Sequence, residues 1–205
     1  MKASRTWIGA LSLLVGVGGI GCQSGTVSAP QEKVAIKDAV KTGGEASRRT
    51  VKTGMDPDAS KIDLTAKDTT IEDINKLHPS GKLAGRVGPF ETSTWKVKAT
   101  LQSIKLMKDG DYYLVMKGDK GGQAVVEVPD PKDCVGSPLH DQVASARKTL
   151  EDRYHPTKDL KKIEDGATVT GVGFLGFGDS KKKSTKTQTG ARLMPGIDFK
   201  FDKKG

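Results

Sequence analysis

The 205-residue chain is poor in the side chains that metal and thiol chemistry draw on. Two cysteines exclude a disulfide-stapled scaffold and a four-cysteine zinc site. Three histidines, at 78, 140 and 155 and with no i, i+4 pair, supply no histidine-built zinc set. Apolar residues make up 35% and aromatics 5%, low for a chain that packs along its whole length, so part of it is expected to lie outside any core. Acidic residues are the minority charge, 25 against 34 Lys and Arg, a net of +9.

What is present begins with an address. Lys2 and Arg5 precede an uncharged apolar run over residues 7–20, the layout of an export signal. A helix of that length rises about 21 Å, short of a hydrocarbon core about 30 Å thick. The run ends in Gly19, Ile20, Gly21 and Cys22, which resembles the lipobox of bacterial lipoproteins, with Gly19 where Leu is usual. The resemblance implies acylation of Cys22 and a membrane-lipid partner, since two or three acyl chains anchor stably where one does not. The alternatives are ordinary cleavage after Ala29, which would put Pro30 first in a secreted product, and an uncleaved segment. Gln23 stands where an Asp would favour inner-membrane retention, which points to the outer membrane if the cell has one. The expected location is the cell envelope, membrane-anchored and facing the periplasm or exterior, with secretion as the alternative.

Residues 23–80 hold no aromatic residue, with nine basic and nine acidic side chains. Such a composition predicts a disordered tether. Brief helices are expected at 31–41 and 70–78, the second with Thr70 as N-cap and Glu72 and Asp73 in its first turn.

From residue 81 the pattern becomes short strands. Trp95, Val97, Ala99 and Leu101 alternate, and the phase then shifts to Ile104 and Leu106, as a bulge at Gln102 and Ser103 requires. Asp109 and Gly110 predict a hairpin turn into a strand with Tyr112, Leu114 and Met116. Ala124, Val126 and Val128 form the next strand, closed by Pro129 and Pro131. A helix follows, with Ser137 as N-cap, Pro138 in the first position, and Leu139, Val143, Ala146 and Leu150 on one face up to Tyr154. Strands at 167–174 and 197–201 complete the order. The expected fold is mostly β: a small five-stranded OB-like Greek-key barrel over 81–205, with one helix between strands 3 and 4. An SH3-like barrel and a sandwich compete with it.

The segments DGDYYLVM (109–116), AVVEVPDPKDCVGSP (124–138), Arg147 with Leu150, VTGVGF (169–174) and QTG (188–190) resemble a family of uncharacterised secreted bacterial proteins. The resemblance spans 95–201 and implies an extracytoplasmic OB-like module with no known activity. Where that family has a histidine before QTG and another in its last strand, this chain has a lysine-rich insertion and Met194, Pro195, Gly196 and Ile197.

Other patterns favour structural roles. Gly171, Gly173 and Gly176 match a dinucleotide fingerprint, but they lie in a strand with no following helix, which points to close backbone approach. Asp56, Asp58 and Ser60 begin like a calcium loop, yet Lys61 and Lys67 occupy its Gly and Glu positions. Cys134 reads as a small apolar plug, or alternatively as a thiol activated by the helix start.

Residues 81–180 carry 15 basic and 14 acidic side chains, whereas 181–205 carry 8 and 2. The excess therefore sits in Lys181, Lys182, Lys183, Lys186 and Arg192, in the loop joining strands four and five, one of the loops by which OB-folds hold oligomers. With Trp95 and Tyr113 these are the candidate ligand-binding residues; the alternative is a solvated hairpin tip. The expected ligand is an anionic envelope polymer or lipid headgroups, and the runner-up is nucleic acid stacked on Trp95 or on Tyr112 or Tyr113. No cofactor is expected, and a catalytic role is disfavoured. Staphylococcal-type nucleases share the barrel, but their Asp, Arg and Glu constellation has no evident counterpart, since the second and third strands carry Glu127 alone.

Overall fold

Runs of alternating apolar residues make strands wherever one face can be buried. In the computed structural model, residues 48–78, 83, 85–176 and 190–203 are described. They form a mostly β structure: one six-stranded sheet with three α-helices. In chain order these are α1 (Arg49–Thr53), β1 (Asp63–Thr69), α2 (Ile71–Ile74), β2 (Ser93–Leu106), β3 (Tyr112–Lys117), β4 (Gln123–Val128), α3 (His140–Tyr154), β5 (Lys161–Leu175) and β6 (Ala191–Phe201). The strands lie in the order β1-β2-β3-β4-β6-β5, and β2 also pairs with β5. Pairings from β2 through β3, β4, β6 and β5 therefore return to β2.

The expected bulge is present, because the register of β2 shifts between Leu101 and Ser103 against both β3 and β5. On one side of it Val97, Ala99 and Leu101 are buried, and beyond it Ile104 is. They meet Leu114 and Met116 of β3, Val126 and Val128 of β4, and Val143, Ala146 and Leu150 of α3 in one core. Each Val, Leu, Ile or Met among them contributes roughly 1.5–3 kcal/mol on burial.

Several boundaries differ from those the sequence predicts. Strand β5 starts at Lys161, because its first residues pair with the far half of the long β2. Strand β6 starts at Ala191 and carries Pro195 within it. The ladder accommodates the missing N–H by shifting register around Gly171. Ser137 does not cap α3; its hydroxyl accepts from the Leu139 amide at 3.1 Å, one turn early, and α3 begins at His140. Gly173 fits the close-approach reading, since a Cβ there would lie 2.1 Å from the Phe90 carbonyl oxygen.

The largest difference concerns the tether. Residues 48–78, inside the stretch predicted to be unpacked, carry α1, β1 and α2. Thr70 caps α2 as expected, its side chain accepting from the Asp73 amide at 3.1 Å. What holds this short helix is burial of Ile71 and Ile74 in the main core. Strand β1 pairs in parallel with the first half of β2. A segment too poor in apolar residues to fold alone thus docks its few on a sheet built by others. Residues 23–47, with the helix expected at 31–41, and the signal with Cys22 lie outside the described residues.

Candidate functional site

Residues directly opposite across a strand pair share a face. On the face of β3 turned away from the core, Tyr113 stands between Lys105 of β2 and Glu127 of β4. Val115 stands between Ser103 and Val125, and Lys117 between Thr100 and Gln123. Lys162 of β5 continues the row of Ser103. This outer face divides into a covered half and an open half.

Helix α1 covers the β4 and β6 side. Val51 packs on Val125, Phe174 and Met194, with Tyr113 against them. The cations flanking Val51 enter a nest of carboxylates. Arg49 holds Asp111 through both terminal nitrogens, at 2.5 and 2.9 Å, and also bonds Asp133. The Lys52 Nζ lies 2.7 Å from Asp111 and pairs with Glu127, and Arg192 stands 3.7 Å from the same Glu127. Burial alone would lower the Lys52 ammonium, but the charges of Glu127 and then Asp111 outweigh it and hold the pKa above the ordinary lysine value. For Asp111, burial would raise the carboxyl; the Arg49 hydrogen bond and the Lys52 charge reverse this and keep it below the usual range.

Arg48 fixes the start of α1. It is buried, and so is Glu91, whose carboxylate takes the two terminal nitrogens of Arg48 at 2.8 and 2.7 Å. Glu91 also accepts from the amides of Val87 and Leu175, both at 2.6 Å. Arg48 bonds the Leu175 carbonyl and, at 2.9 Å, that of Gly85, while its guanidinium lies 4.8 Å above the Phe174 ring. Asp56 is spoken for as well: Arg86 holds it at 2.7 Å.

The open half is a cleft of about 560 Å³ spanning β5, β2, β3 and the edge of β4. Gln102, Val115 and Gln123 line its floor, and Leu160, Lys162 and Glu164 one wall. The Gln123 side-chain nitrogen donates to the Gln102 oxygen at 2.5 Å. Beyond the cleft, the Lys105 ammonium lies 5.7 Å from the Tyr113 ring centre, and a second hollow beside it is lined by Lys105, Lys108 and Lys158.

The sequence-derived candidates fare differently. Lys181, Lys182, Lys183 and Lys186 lie outside the described residues, as does Cys22. Tyr113 lies on the outer face. Arg192 is the second residue of β6 and is engaged with Glu127. Trp95 is elsewhere: it shares the core-facing row of β2, donates from Nε1 to the Phe90 carbonyl at 2.9 Å and stacks on the Phe90 ring. Cys134 is fully buried and its thiol is pushed up to about 11 by that burial, which favours the plug over the activated thiol. Among the described residues no group of three or more His, Cys, Asp and Glu side chains is arranged to hold a metal ion. Arg48, Arg49 and Lys52 were not among the candidates, because the carboxylates they pair with lie 43 to 84 positions away. The one local signal is the spacing of Arg48, Val51 and Lys52, which places a buried apolar residue among cations on one turn.

Comparison with protein-family models, with curated proteins and with solved structures finds no match.

Proposed function

We propose that the chain is an exported, lipid-anchored binding or envelope-structural module without catalytic activity, and that its ligand is anionic. The closed circuit of pairings among β2, β3, β4, β6 and β5, with α3 between β4 and β5, supports an OB-like barrel as its scaffold. The observation that carries the reading is the half-open outer face: the β3 and β4 side of such a barrel is its usual ligand surface, and lysines flank its open part. Glu127, the carboxylate a nuclease-like reading would need, is held by Lys52 and Arg192, which supports a binding role over hydrolysis.

Two substitutions test this reading. Cys22→Ser should release the protein from membranes, and unchanged membrane association would reject the anchor. Replacing Lys181, Lys182, Lys183 and Lys186 together by Ser should reduce retention on heparin and on anionic vesicles, an attraction that salt should weaken steeply. Equal retention at low salt would remove the loop from the binding surface. Tryptophan quenching by single-stranded DNA would turn the reading toward nucleic acid.

A further inference from the structure

We infer that the open cleft on the outer face binds an anionic polysaccharide strand. The inference rests on the reading of the protein as an anion-binding module and assigns the ligand class and the residues. The cleft volume, about 560 Å³, falls within the roughly 300–1,000 Å³ typical of ligand sites.

Its chemistry is that of a hydroxyl-rich, sparsely charged chain. The bond between Gln123 and Gln102 leaves the Gln102 amide nitrogen and the Gln123 amide oxygen unspent among the described residues, one donor and one acceptor at the floor. A pair of amides so placed suits vicinal hydroxyls, which offer both functions. Val115 and Leu160, the latter 55% exposed, give aliphatic surface for the C–H face of a sugar ring. Lys162 makes no bond to any described residue, and Lys117 stands exposed in the row of Gln123. Lys162 lines the cleft, Lys117 stands directly across from Gln123 of its floor, and Lys105 lies one row away.

The same wall argues against a polynucleotide. Glu164 faces the cleft beside Lys162, and it would repel a chain with a phosphate at every step. Base binding also wants a flat aromatic platform. None lines the cleft, Trp95 is committed to Phe90, and Tyr113 packs partly beneath α1.

The test uses the full-length chain with hyaluronate, which carries one carboxylate per disaccharide, as probe, against dextran, single-stranded DNA of similar length and phosphatidylglycerol vesicles, at low salt. Hyaluronate should bind and dextran should not. Lys162→Glu, and separately Gln102→Ala with Gln123→Ala, should each weaken hyaluronate binding about tenfold, the loss expected for one charge-assisted or two neutral hydrogen bonds. Leu160→Asp, at an exposed position that no fold contact needs, should do the same through repulsion, and melting curves of all variants would confirm that they remain folded. The inference is overturned if hyaluronate fails to bind, if it binds these variants as it binds the parent chain, or if DNA or vesicles bind more tightly than it does. Should the cleft variants bind normally while the four-lysine loop variant does not, the anion-binding reading survives and the cleft assignment fails. Should no anionic probe bind at all, both fail.

Discussion

Replacing Arg48 by Met removes the cation from a carboxylate that has no access to water. Glu91 then keeps two backbone donors, the amides of Val87 and Leu175, and loses the two guanidinium bonds at 2.8 and 2.7 Å. Breaking a buried ion pair from one side costs about 3–5 kcal/mol. For a domain of this size each kcal/mol lowers Tm by about 2–4 °C, so a fall of about 6–20 °C is expected. Thermal and urea unfolding at neutral pH, followed by circular dichroism, would read it. The Glu91→Leu change should be comparably severe, and the double variant should cost less than the sum because both charges leave together. A stability for Arg48→Met within about 0.5 kcal/mol of the parent, the range of ordinary surface changes, would refute the reasoning. It would mean that the first helix is not part of the cooperative unit.

The ion-pair nest makes a pH prediction with a definite sign. Asp111 is held below its ordinary value, so its contribution is present above about pH 3.9 and is lost as pH falls through the folded value. Lys52 is held above its ordinary value, so its contribution is complete below about pH 10.4 and is lost as pH rises through the folded value. The Tm gap between the parent chain and Asp111→Asn should therefore narrow on acidification, and parallel curves down to pH 3 would contradict it. In a Cys22→Ser background, Cys134 should resist Ellman's reagent at pH 8 until guanidinium unfolds the protein. Rapid labelling of the native state would place that thiol at the surface.

The strands were legible because burial on one face writes a period of two into the sequence. The phase change at Gln102 and Ser103 even marked the bulge. Residues 48–78 were not legible. Val51, Ile62, Ile71 and Ile74 are too few to announce a core, and each is buried only because the sheet stands beneath it. A charge-balanced composition reads as solvated whether or not its charges later find buried partners. The first turn of β6 was hidden by Pro195 and Gly196, which the ladder tolerates through register shifts. Of the outer face, Tyr113 could be named from alternation. The pairing of Gln102 with Gln123, by contrast, depends on a register that spans 21 positions.

Because Val51 and its flanking cations occupy the ground above β4 and β6, the vacant ground is lopsided. From β5 to β3 it measures two strand spacings, about 10 Å. A long filament laid across the strands from the β5 margin would run aground on the helix instead of passing over. Such a berth suits the tip of a chain, or a bend in it, better than a straight interior stretch.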